Sequence, residues 1–195
     1  RFYLFRDVRF GQDGAVSREE FDGRYVSELA NDYGNLASRT LSMIGRYADG
    51  VVPCADQARP DPELAAEFEN LGPRVAALFD DGELTLALDE IWVAVRRLNG
   101  YVEERAPWKL AKQIAAGDGD GSEAELLEQT LYNLAEGLRV ITVLLHPYLP
   151  ESSERLLAAL GSPALDVAGA VLGVQAGGQQ TEQLPPLFPK PERSE

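Results

Sequence analysis

The chain has 195 residues, 45% of them hydrophobic, and a formal net charge of −14. That length buries a real core and most simply makes one domain, and no run of about 18 apolar residues exists to span a membrane. A single cysteine, Cys54, and a single histidine, His146, rule out an internal disulfide and a structural zinc site, and the lone thiol fits a cytoplasmic chain.

Acidity of this size argues against a nucleic-acid partner when taken alone. Its distribution changes that. Residues 1–50 carry 7 Lys and Arg against 8 Asp and Glu, and residues 91–115 carry 5 against 2. The acidic excess lies elsewhere, where it reads as solvated surface.

Arg1 to Arg6 is apolar but short and lacks a cleavage-site pattern, so it does not read as a signal peptide. Residues 1–16 are expected to be extended, as a short strand or a buried first turn, with a turn at Phe10-Gly11-Gln12-Asp13-Gly14. The chain starts abruptly in apolar sequence, which points to a partner upstream. Ser17-Arg18-Glu19-Glu20 is a capping box that opens a helix running from about Arg18 to Asp49, with Gly50 as its stop. Along it, Leu29, Tyr33, Leu36, Thr40, Met43 and Tyr47 form an apolar stripe, and Asp32, Asn35, Arg39, Ser42 and Arg46 a polar one.

Residues 51–60 form a proline-rich loop. Asp61-Pro62 caps a second helix that runs to about Phe79, kinked at Gly72-Pro73. Leu84, Leu88, Ile91, Val95, Leu98 and Val102 alternate steps of four and three, the seam of a helical bundle. Pro107 should end that third helix, with Trp108 at the break. Gly117 to Gly121 is a loop, and Ser122 to Glu125 repeats the capping box. Leu127, Leu131, Leu134, Leu138, Ile141 and Leu145 carry the seam of a fourth helix, ended by His146-Pro147. A fifth spans about Ser152 to Leu160. Residues 163–173 are weak, and Leu184 to Pro189 must be extended. The expected fold is all-α: an antiparallel bundle of four to five helices with a short extended N-terminal segment and an extended tail. The division reads as 1–16, 17–175 and 176–195.

Asn35 and Arg39 stand one turn apart on the polar stripe, and Trp108 follows a proline with Lys109 and Lys112 beside it. An amide, a guanidinium and an indole suit the reading of unstacked bases. Each also has a plain structural reading. Position alone favours a half-buried core tryptophan at 108, a salt-bridged helix arginine at 39 (with Asp32 the nearest candidate), and a structural hydrogen bond for Asn99. Trp92 is assigned to packing, His146 to capping or packing, and the acid pairs Asp80-Asp81 and Glu103-Glu104 to solvated surface. No nucleophile triad, phosphate loop or metal cluster is legible.

Four strings in order make a more specific case. Arg1-Phe2-Tyr3-Leu4-Phe5-Arg6 with Phe10 to Gly14, Leu29 to Arg39 (ending Asn35-Leu36-Ala37-Ser38-Arg39), Ala106-Pro107-Trp108 with Ala111-Lys112, and Pro186-Leu187-Phe188-Pro189 resemble the C-terminal anticodon-binding domain of methionyl-tRNA synthetases, class I aminoacyl-tRNA synthetases. The resemblance covers nearly the whole chain. It implies that Asn35, Arg39 and Trp108 read the CAU anticodon of methionine tRNA, and that Pro107 fixes the turn presenting the indole. It further implies that the full-length enzyme uses ATP, with magnesium, on a catalytic domain. The HIGH-like and KMSKS-like strings of that domain are lacking here, as are the metal-knuckle cysteines of some members. The chain is therefore expected to be a C-terminal piece without catalytic residues of its own, partnered by that catalytic domain and by methionine tRNA. The alternatives are the same domain from a leucine, isoleucine, valine or cysteine enzyme, which the joint Asn-Leu-Ala-Ser-Arg and Ala-Pro-Trp strings disfavour, and a helical interaction module with no RNA role.

Overall fold

The computed structural model describes residues 1–8, 16–54, 56, 59–117 and 120–190. The N-terminal residues correct the expectation of an extended strip: Phe2–Asp7 is a helix, α1. Six residues cannot hold a helix in water by themselves, so tertiary contacts hold this one. Phe2 lies 5.0 Å from Trp92 and Phe5 5.7 Å from Tyr148, centroid to centroid. Arg6, on the same face, sets its guanidinium between Glu28 and Asp89. Burial works against that charge, but the hydrogen bonds and charges of the two carboxylates outweigh it and raise the Arg6 pKa. The turn expected at Phe10 to Gly14 lies outside the described residues.

Ser17 caps the first long helix as its spacing predicts, its Oγ accepting from the Glu20 N–H at 3.1 Å. Helix then runs unbroken through α2 (Arg18–Arg24), a π-helical segment (Tyr25–Gly34) and α3 (Asn35–Tyr47). The wider winding brings the Asn35 N–H back five residues to the Ala30 carbonyl. Gly34 permits it, because a Cβ there would meet the Leu29 carbonyl oxygen at 2.8 Å and the Phe188 ring at 3.2 Å.

Asp61 caps α4 (Pro62–Phe68), accepting from the N–H groups of Glu63 and Leu64. The break to α5 (Leu71–Asp80) falls at Glu69-Asn70, ahead of the expected kink. Pro73 thereby sits in the first turn of α5, where its missing N–H costs nothing. The remaining helices are α6 (Leu84–Arg105), α7 (Pro107–Ala116), α8 (Ser122–Leu145) and α9 (Pro150–Ala159). Ser122 is the first residue of α8 and not its cap; its N–H goes to Asp120 Oδ1 at 3.0 Å.

Polar pairs fix the directions. Glu67–Arg97 and Arg74–Glu90 run in opposite senses, so α4 and α5 lie antiparallel to α6. Tyr148 donating to the Leu84 carbonyl, with Gly137 against Leu98, does the same for α6 and α8. Asp32–Trp92 and Arg39–Glu103 advance together, so the first long helix runs parallel to α6. The result is an up-down-up-down bundle, all-α among the described residues apart from one isolated bridge, Val51 to Gln180. No helix there is long and apolar enough to cross a membrane.

The centre is α8. Every residue from Thr130 to Leu145 is buried, with α3, α6, α7 and α9 packed around it. A helix covered on all sides reads as more than a seam. Two of its buried residues are charged, and they pair. Arg139 donates to Glu136 at 2.7 Å and to the carbonyls of Gly169 and Val171 at 2.9 and 2.8 Å. Glu136 accepts from the N–H groups of Gly173 and Gln175 at 3.1 and 3.3 Å. The pair thus organises the irregular stretch after α9. The strap that follows ends with Leu187 and Phe188 buried, Phe188 lying 6.2 Å from Tyr25 and 6.1 Å from Tyr33.

Replacing Arg139 with Met leaves Glu136 buried without its counter-ion and is expected to cost about 3–5 kcal/mol. Urea unfolding measures the loss, and amide exchange should rise first at Gly169 to Gln175. Wild-type stability in the variant would show that the pair carries no net stabilisation.

Candidate nucleic-acid interface

The turn between α6 and α7 is a single residue. Ala106 takes φ 42° and ψ 58°, a left-handed conformation that non-glycine residues adopt at a cost of about 1–3 kcal/mol. Its N–H still closes onto the Val102 carbonyl at 3.0 Å, and its own carbonyl accepts from Lys109 N–H at 2.8 Å. Pro107, buried, is the first residue of α7, where a fixed φ suits the start of a helix. Trp108 comes second and is 37% exposed. The expected ending at Pro107 is therefore the start of another helix. Proline at its head and Gly117 at its tail, φ 69°, were the available signals for α7.

Trp108 reaches back to α3. The Arg39 guanidinium carbon lies 5.6 Å from the indole centroid, within cation–π range. Arg39 also donates to Glu103 Oε1 at 2.7 Å, with the two side chains 31% and 62% exposed. Glu103 is the partner, not Asp32. Asp32 faces the other way and accepts from the Trp92 indole N–H at 3.3 Å. Asn99 is structural, its amide donating to the carbonyls of Asp32 and Val95 at 3.2 and 3.1 Å. Trp92 is fully buried, as its assignment to packing requires. Glu104 pairs with Arg97 at 3.1 Å, so neither acid of that pair is simply solvated. His146 lies 3.3 Å from Glu154 and does no more than link α8 to α9.

Two concavities share this face. One, of about 280 Å³, is lined by Ser38, Arg39, Ser42, Met43, Tyr47 and Trp108. The other, of about 610 Å³, holds Asn35, with Asn31, Gly34 and the strap Pro186 to Lys190 as its walls. Ser38 lines both, so they are neighbours. Among the described residues neither is lined by a carboxylate, although Glu103 reaches the smaller one through its bond to Arg39. A larger concavity, about 750 Å³ at the start of α8, carries Asp56, Glu125 and Glu128 with Arg59 and belongs to the acidic surface. Another, beside Tyr101, carries Asp61, Glu63 and Glu104. Among the described residues no group of three His, Cys, Asp or Glu is placed to hold a metal ion.

No family model matches the chain. Curated relatives do. It is 42% identical over 162 residues to methionine–tRNA ligase of Caldanaerobacter subterraneus subsp. tengcongensis, an alignment covering 83% of this chain and 24% of that protein. It is 35% identical over 201 residues to methionine–tRNA ligase of Bacillus subtilis, covering 100% of this chain and 29% of that protein. The apo form of Mycobacterium tuberculosis methionyl-tRNA synthetase superposes with a TM-score of 0.85 at 32% identity, over 99% of this chain and 38% of that one. Architecture and relatives together place the chain among the aminoacyl-tRNA synthetases. It belongs to the methionyl-tRNA synthetase family, and it spans roughly a quarter to two fifths of the members it matches.

The two tryptophans should behave differently. Trp92→Ala empties a core site and is expected to cost about 3–5 kcal/mol. Trp108→Ala removes a half-exposed ring and one exposed cation–π contact, worth about 0.5–1 kcal/mol. Paired urea melts measure both, and equal losses would make Trp108 a core residue.

Proposed function

We propose that the chain is the anticodon-binding part of a methionine–tRNA ligase, and that Asn35, Arg39, Pro107 and Trp108 hold the CAU anticodon of methionine tRNA. The observation that carries this reading is the contact of Arg39 with the half-exposed Trp108 ring over an open concavity, with Glu103 taking one donor of the guanidinium from the side. The indole offers a flat face to one unstacked base. Arg39 commits one of its five N–H donors to Glu103, which leaves the rest of the fork for a base edge. Asn35, exposed one turn earlier on the same helix, presents an amide that pairs with a neighbouring edge. Pro107 starts α7 at a fixed angle and so sets the direction of the ring.

In this reading residues 17–175 are the helical RNA-binding unit and 1–16 and 176–195 its flanking segments, of which 1–8 and 176–190 lie against it. The remainder of the enzyme, in the cytoplasm, binds methionine, ATP and magnesium. No step of the chemistry is assigned to the described residues, among which no group of three His, Cys, Asp or Glu is placed to hold a metal ion.

Trp108→Ala in the full-length enzyme is expected to weaken methionine tRNA by about tenfold to a hundredfold, the value of one stacked base. Arg39→Ala should lose discrimination against an altered anticodon as well as affinity. Binding of each variant to methionine tRNA and to an anticodon variant, at fixed salt, tests both. Unchanged affinity in the two variants overturns the reading.

A further inference from the structure

Ten consecutive residues, Tyr25–Gly34, are π-wound. Such winding is rare and mostly confined to a single turn, so a run of this length needs support from outside itself. The C-terminal strap touches it at both ends. Tyr25, its first residue, donates its hydroxyl to the Pro189 carbonyl at 3.0 Å. At Gly34, its last residue, a Cβ would stand 3.2 Å from the Phe188 ring. We propose that the strap is a ruler that holds Tyr25–Gly34 in the wide winding, and that lifting it lets the segment rewind as α-helix and turns α2 relative to α3.

The strap runs antiparallel to the whole rod. Thr181 donates its N–H and its hydroxyl to the Gly50 carbonyl at 2.7 and 2.9 Å. The Gln183 amide donates to the Leu41 carbonyl at 2.7 Å and passes 2.8 Å from where a Cβ at Gly45 would stand. As an α-helix, the rod from Tyr25 to Leu41 would be about 24 Å long. The strap from Gln183 to Pro189 reaches at most about 20–22 Å. Side chains must bridge that difference, or the rod must shorten. A wider winding puts more residues into each turn and shortens it.

Gly34 separates the two windings. In the wide one, a Cβ there would meet the Leu29 carbonyl oxygen at 2.8 Å. In an α-helix alanine is preferred to glycine, by about fivefold in the helix equilibrium. The glycine therefore keeps open a winding that alanine would close.

Of the helices on either side, α2 is the one free to turn. None of its residues is buried. Asp32 and Tyr33 are tied to α6 and α8 by hydrogen bonds, and α3 by its buried face. Each residue released from the wide winding turns α2 by about 100°. Arg24, paired with Asp7 at 2.9 Å, passes that turn to α1. Nothing in this device needs RNA, so it stands or falls apart from the anticodon reading.

Crystal structures and amide exchange of the full-length enzyme carrying Gly34→Ala, Phe188→Ala or Tyr25→Phe test the device. In the first two, the Asn35 N–H should bond the Asn31 carbonyl in place of that of Ala30. Amides of α2 and of residues 184–190 should exchange about tenfold faster, while those of α3 keep the wild-type rate. Tyr25→Phe keeps the ring and removes one hydroxyl. It should speed exchange in the same two stretches by about fivefold, the worth of one hydrogen bond. If either larger change fails to fold, Tyr25→Phe decides alone. A strap that only fills space would give another pattern, with Phe188→Ala loosening residues 184–190 and leaving α2 as it was. That pattern, the Ala30 bond retained in Gly34→Ala, or unchanged α2 exchange in Tyr25→Phe overturns the proposal.

Discussion

Two adjacent residues of the π-helical segment set the register on which the proposed nucleotide face depends. Asp32 takes the Trp92 indole N–H on its carboxylate at 3.3 Å and the Asn99 amide on its carbonyl at 3.2 Å. Tyr33 donates its hydroxyl to Thr142 of α8 at 2.9 Å, and burial pushes its pKa up. A slip of one residue in this helix turns it by about 100° and breaks all three bonds. Each buried group left without a partner costs about 1–3 kcal/mol. The same slip would swing Arg39 off the Trp108 ring, because Arg39 lies two turns further along the same rod. Core hydrogen bonds made well away from the interface thus determine whether the interface exists.

Net charge is the wrong scale on which to judge an RNA partner for this chain. Screening at physiological salt has a range of about 8 Å, so carboxylates beyond it have little say over a phosphate. What matters is the composition of the surface touched. The two concavities around Ser38 are lined by the amides of Asn31 and Asn35, the hydroxyls of Ser38, Ser42 and Tyr47, the Trp108 indole and the cations Arg39 and Lys190. Acid gathers at the start of α8 instead, while Glu103 beside Arg39 is held in an ion pair. An acidic body with one uncharged-to-basic face limits nonspecific attachment to nucleic acid while leaving that face open.

Local sequence rules reached the elements that obey local physics. The seams of α6 and α8, the Ser17 cap and the Asp61-Pro62 start follow from periodicity and capping, and the relation of Asn35 to Arg39 follows from helical spacing. The failures share another cause. α1 is helical because Trp92 and Tyr148, far along the chain, receive its phenylalanines. The π winding depends on Gly34 lying under Phe188, about 150 residues away. Arg39 pairs with Glu103 and not Asp32 because the relative rotation of two parallel helices is not written in either of them. The groove walled by the strap was invisible for the same reason: its sides come from opposite ends of the chain.

The junction of α6 and α7 illustrates how a costly backbone would serve the proposed recognition. A glycine at 106 would relieve the left-handed strain, but it would also open many more conformations to the hinge. Alanine followed by proline leaves few. Both helices beyond the turn are pinned, α6 by its buried seam and α7 by packing on α8, so the strained residue has nowhere to relax. The indole at 108 is consequently held at a set angle before any base arrives. Ordering a free side chain on binding costs about 0.5–1.5 kcal/mol, comparable to much of what one stacked base returns. Arg39, lying on the ring and tied to Glu103, restricts its own rotamers in the same way. In the proposed reading, rigidity introduced in the fold at a single strained residue therefore reappears as affinity at the ring it aims.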